Sequence, residues 1–132
     1  MTEAAVDRLS QGMKTRRAVL SDAHVERSEA GKTELDAPFQ VLITEAAWGH
    51  VWSRPNWSKR ERSMVTIALL AGLGHYEEMA MHIRATARTG ATEEDVREAL
   101  LHVAIYAGVP AANHAFKIAK QVYAEMGQGE SA

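Results

Sequence analysis

Between Arg60 and Arg84 the chain reads RERSMVTIALLAGLGHYEEMAMHIR, its most apolar segment followed by a glycine break and a run of ionisable residues. There His75, Glu78 and His82 stand at i, i+3 and i+7, offsets that put three side chains in one narrow stripe of a helix. A carboxylate at i and an imidazole at i+4 are close enough for Glu78 to orient His82 and raise its basicity, making His82 a proton donor or base. The three together form an HxxExxxH line of metal-ligating types, but the spacing differs from HExxH and no metal is expected. From spacing alone, a solvated helix face is the commoner origin of a Glu and a His at i and i+4.

Glu98, His102 and Tyr106 repeat the stripe at i, i+4 and i+8 farther on, where a semi-buried histidine satisfied by its neighbours is the ordinary outcome. Arg54, Arg62 and Arg84 are suited to a substrate carboxylate, because a guanidinium offers a planar bidentate fork; an ion pair within the fold or at a subunit interface is the competing use. Trp48, Trp52 and Trp57 all fall within ten positions. Such a group more often builds a core than a ligand wall.

The elements that must carry these residues are helices. Residues 1–20 show a modest helical pattern interrupted by Gly12, and the polar stretch 21–36 reads as a loop. Asp36 and Pro38 open a second helix that ends near Gly49. Ser58 with Glu61 matches a capping box, so a third helix starts at Lys59; it is apolar nearly all round from Met64 to Leu73, as in the centre of a bundle. A fourth helix runs from His75 to Gly90, a fifth follows the Thr92 and Asp95 cap, and a sixth runs from Pro110 to about Met126. No segment alternates with period two, so the fold class is all-α, a single domain over 1–132 with five to six helices and its helical core at 37–127.

Composition narrows the function. With 17 acidic and 15 basic residues interspersed, the net charge is −2, and bulk electrostatics draws the chain to neither nucleic acid nor an anionic membrane. There is no cysteine, which removes disulfides, thiolate metal sites and thiol redox chemistry. The N-terminal residues do not read as a signal peptide, and the apolar run 64–73 is too short for a membrane span. A cytoplasmic protein is expected.

Five segments, VLSDAHVER (19–27), AAWGHVWSRP (46–55), RSMVTIALLAGLG (62–74), EMAMHIRA (78–85) and LLHVAIYAGVPAANHA (100–115), stand in order along the chain. Together they resemble the γ-carboxymuconolactone decarboxylase family, with AWG-x-VW-x-RP the most specific of them. The resemblance covers residues 9–123 and implies the alkylhydroperoxidase-D-like fold. Peroxidatic members of that fold carry C-x-x-C-x-x-x-H; here His75 and Glu78 occupy the cysteine positions and His82 the histidine position, a departure that excludes thiol peroxidase activity and leaves the decarboxylase branch.

The reaction implied is loss of CO2 from 4-carboxymuconolactone to give β-ketoadipate enol-lactone, in protocatechuate catabolism by the β-ketoadipate pathway. The substrate's own lactone carbonyl accepts the electrons, so no cofactor is implied. The resemblance assigns His82, set by Glu78, as the acid that returns a proton, and Arg62 as a carboxylate or oxyanion binder. Arg54, Arg84 and His24 become further substrate contacts, while Trp48 and Trp52 form an apolar wall that favours expelling a charged carboxylate as CO2. It also implies a homo-oligomer, a hexamer or trimer. The alternatives are a related enzyme acting on another lactone or β-keto acid, and a non-catalytic small-molecule-binding or interaction module.

Overall fold

The computed structural model describes residues 7–131, and within them every regular element is helical. The stretch of the predicted first helix before residue 7 lies outside the described residues. Two compact units divide the chain, Met1–Trp57 and Ser58–Ala132.

In the first unit α1 spans Arg8–Leu20, begun by Asp7, whose carboxylate accepts the Ser10 amide. The expected loop at 21–36 is corrected: Asp22–Ala30 forms α2, and only the residues after it turn. Its sequence is polar because it buries a single side chain, Val25, so apolar periodicity is too sparse to announce it. Ser21 starts α2 by accepting the His24 amide at 3.2 Å, and does so at φ 89° and ψ 153°, a conformation that normally requires glycine.

The next helix, α3, spans Ala37–Ile43 and continues as a π-helical segment over Thr44–Val51, two residues past the predicted stop at Gly49. The Trp52 amide closes the widened turn on the Ala47 carbonyl, five residues back, at 2.8 Å. Asp36 does not cap α3 with its side chain; it accepts the Thr33 amide instead.

Gly12 is a packing residue as well as a weak helix former. A Cβ there would come within 2.0 Å of the Thr44 carbonyl oxygen, and one on Gly49 within 2.2 Å of that of Arg8. The two glycines let α1 cross the π-helical segment backbone to backbone, and Arg8 and Gln11 both donate to the Gly49 carbonyl across the crossing.

The second unit is four helices: α4 Lys59–Leu73, α5 Tyr76–Thr89, α6 Glu93–Tyr106 and α7 Val109–Ser131. Both predicted capping boxes form, at Ser58 with Glu61 and at Thr92 with Asp95, and Gly74 and Gly90 end α4 and α5 in the left-handed conformation. Ile67, Met79, Ile83 and Leu100 are wholly buried among Val96, Val103 and the alanines of α7, whose small side chains bring that helix close. Arg60 forks onto Asp95 with two 2.7 Å hydrogen bonds, tying the start of α4 to the start of α6.

One expectation for α4 fails. Ser63, Ile67 and Ala71 face the bundle, whereas Leu69 and Leu73 are exposed, Leu73 by 68%. A helix apolar all round is buried all round only if something covers both faces, and the bundle covers one. In total the described residues hold seven α-helices against the five or six expected, the addition being α2.

Candidate active site

His82 lies on the inward face of α5 with Met79, Ile83 and Thr86, and is only 7% exposed. That face follows from the helical offsets of Met79, Ile83 and Thr86, among which a histidine is the exception. Glu78, one turn earlier, is exposed in the first turn of α5, where the helix dipole favours its charge. The two side chains therefore stand in different surroundings, Glu78 at the surface and His82 inside.

His75 departs from the stripe. It is the exposed N-cap of α5 at φ −90° and ψ 70°, outside the helix whose geometry would have aligned it. Among the described residues no three His, Asp or Glu side chains converge as metal ligands.

Arg62 sits half-buried in the first turn of α4, beside Lys59, one turn before it. The closeness is visible in Lys59, whose ammonium is held below its usual range first by burial and then by Arg62. Two crowded cations at a helix start favour an anion between them. The i, i+3 spacing on α4 is what brings Lys59 beside Arg62.

Arg84 stands on α5, as expected, but toward the surface. Two residues beyond His82 on a helix is a rotation of about 200°, and its guanidinium lies 3.5 Å from Glu125 on the exposed surface of α7. It does not share the face that carries His82. Glu98 likewise is engaged by Arg97, and His102 is exposed and stacks on Tyr106 with centroids 6.2 Å apart, so the second stripe is a surface feature and not a semi-buried site.

In the first unit Trp48 and Trp52 are both buried, their rings 5.1 Å apart and tilted by 36°. The π-helical segment presents them together, and Ser53 donates to the Trp48 carbonyl at 2.6 Å while meeting Thr15 of α1 at 2.8 Å. Trp57 and Arg54 are exposed. His24 is half-buried on α2, and its imidazole is held below the ordinary histidine range by burial, then by the charges of Arg27 and Arg16. The structure thus adds Arg16, from α1, to the Arg27 that the AHVER motif already places near His24.

Against these positions stand the comparisons with known proteins. The profile of the carboxymuconolactone decarboxylase family matches residues 37–121. A 4-carboxymuconolactone decarboxylase of Acinetobacter baylyi is 42% identical over 120 residues, covering 91% of this chain and 90% of that protein.

The chain belongs to the carboxymuconolactone decarboxylase family.

With that membership comes the all-α, alkylhydroperoxidase-D-like fold that the helices display. A second relative, the nitrosuccinic acid decarboxylase of Metarhizium robertsii, is 37% identical over 116 residues, 88% of this chain and 81% of that protein. Among the described residues no helix of this family member is long and apolar enough to cross a membrane.

Proposed function

We propose that the protein decarboxylates 4-carboxymuconolactone to β-ketoadipate enol-lactone without a cofactor, in protocatechuate catabolism. The observation that carries this is the 42% identity to a 4-carboxymuconolactone decarboxylase, sustained over nine-tenths of both chains. The enzyme class, a carboxy-lyase, follows from family and relatives alike. Residues 1–132 act in this reading as one domain, supported by a family match that runs through both compact units.

The chemistry asks for little. As the C–C bond to the carboxylate breaks, its electron pair moves through the ring double bond onto the lactone carbonyl; the resulting dienolate then takes a proton on the carbon beside the carbonyl. His82 is the proposed donor, since burial on α5 keeps it from water and Glu78 can hold its imidazole. Arg62, with Lys59 beside it, is the proposed partner of negative charge on the lactone oxygen or a retained carboxylate. Arg54 and His24 are proposed as further substrate contacts, and Trp48 with Trp52 as apolar wall. Arg84, at the surface of α5 and 3.5 Å from Glu125, is proposed last among the substrate contacts.

A homo-oligomer, hexamer or trimer, is part of the same reading, as is a cytoplasmic location. The exposed apolar side chains of α4 and α6 support assembly.

The deciding experiment mixes purified protein with enzymatically generated 4-carboxymuconolactone and follows its ultraviolet absorbance. Loss no faster than spontaneous decay defeats the assignment. The relative named for nitrosuccinic acid supports one second reading, decarboxylation of a different activated dicarboxylic acid. A panel that includes nitrosuccinate separates the two by their kcat/KM.

A further inference from the structure

Among the described residues of the first unit, Arg16 is the one with buried side-chain donors left without acceptors. It shares the inward stripe of α1 with Gly12 and Val19 and is only 4% exposed. Its Nη2 donates to Ser28 Oγ at 2.9 Å and, at a long 3.3 Å, to Gln40 Oε1. Among the described residues Nε and Nη1 have no hydrogen-bond acceptor, and the carboxylate of Glu29 stands 3.7 Å from Nη1. A buried guanidinium with idle donors is costly, because the lost hydration is not replaced.

Beside it lies an open cleft of about 650 Å³ between α1 and α3. Two of Arg16's neighbours, Gln40 and Glu29, are also walls of that cleft, so the guanidinium lies one side chain behind its surface. Leu9, Met13 and Val41 give the cleft an apolar lining, and its charged lining is Lys14, Arg17 and Lys32 against Asp7 and Glu29. Several of these charges are already matched: Lys32 pairs with Glu29 at 2.7 Å, Arg17 with Glu26 and Asp22, and Asp7 accepts the Ser10 amide. Lys14 makes no ion pair among the described residues, which leaves a cation facing the cleft and another behind its wall.

We propose that the α1–α3 cleft is a binding site for a small organic acid. The apolar body of the ligand lies on Leu9, Met13 and Val41, and its carboxylate takes the place of the Gln40 amide on Arg16, with Lys14 at the mouth. The volume is in the range of small-molecule sites, and the mix of apolar lining and convergent cations is what a carboxylate on an apolar body requires. Such binding requires nothing of the decarboxylation chemistry proposed above.

Calorimetric titration with benzoate, its neutral isostere benzamide and inorganic phosphate tests the site. Benzoate is expected to bind at least about tenfold more tightly than either of the others, since only it offers both the charge and the apolar body. Arg16→Gln is expected to lower benzoate affinity about tenfold or more. Should that variant fail to fold, exposed Lys14→Gln is expected to weaken binding severalfold, and Met13→Trp to abolish it by filling the cleft. Absence of benzoate binding, equal binding of benzamide or phosphate, or benzoate affinity unchanged in Met13→Trp overturns the assignment.

Discussion

Replacing His82 by glutamine keeps a polar side chain on the buried face of α5 but removes the group proposed to deliver the proton. Turnover is expected to fall by about 10²- to 10⁴-fold, the usual contribution of a positioned acid, with a smaller effect on thermal unfolding. Absorbance kinetics beside a melting curve checks both, and a variant that merely unfolds would place His82 among structural residues. His24 allows a separate test. Burial, Arg27 and Arg16 disfavour its cation, so its folded-state midpoint lies below the value of 6.5 expected of a free histidine. The neutral form then prevails at pH 7, and below about pH 6.5 the unfolded chain takes up the proton first, so the stability tied to this group is present above that pH and fades beneath it. A proton NMR titration should find the low midpoint, and Arg27→Gln should raise it.

At the level of elements, two positions on α1 and α2 carry opposite predictions. Gly12→Ala forces a Cβ into the Thr44 carbonyl, and the crossing of α1 over the π-helical segment must open; a loss of about 3 kcal/mol is expected in denaturant titration. Ser21→Gly does the reverse. It releases a backbone held at φ 89° at the cost of a cap that glycine replaces with a loss of only a few tenths, so a gain of about 1 kcal/mol is expected. In the second unit, Asp95 accepts two hydrogen bonds from Arg60 and one from the Thr92 amide, which hold its carboxyl far below the usual range. That link stabilises the fold above about pH 4 and is lost as the pH falls further, because there the unfolded carboxylate gains its proton first. Asp95→Asn should lower the melting temperature at pH 7 and flatten the acid limb of the stability curve.

For the whole molecule, the question is what covers the outer surface of the second unit. Leu69 and Leu73 on α4, with Ile105 and Tyr106 on α6, are exposed, Ile105 by 76% and Tyr106 by 85%. Large exposed apolar side chains gathered on neighbouring helices mark an interaction surface. Light scattering is expected to give a mass well above the 14.5 kDa of one chain, and Leu73→Glu with Ile105→Glu to lower it. A 14.5 kDa species for the unmodified protein would refute the homo-oligomer.

What the sequence determined by itself was whatever rests on local rules. The capping boxes at Ser58 and Thr92, the stops at Gly74 and Gly90 and the all-helical class were legible because each depends on residues within a turn or two of one another. So was the placement of Glu78 and His82 one turn apart on α5, since a helix fixes that offset. Tertiary structure decided the rest. Helix α2 was hidden because it buries one apolar residue, and Gly12 read as a flaw because its partner, the Thr44 backbone, lies far along the chain. Arg84 and His82, neighbours in sequence, are separated by helix rotation and by Glu125 on α7. In the run KTRR, Arg16 shares the spacing of Gly12 and Val19, but only packing against Ser28, Glu29 and Gln40 makes it a buried charge with donors to offer.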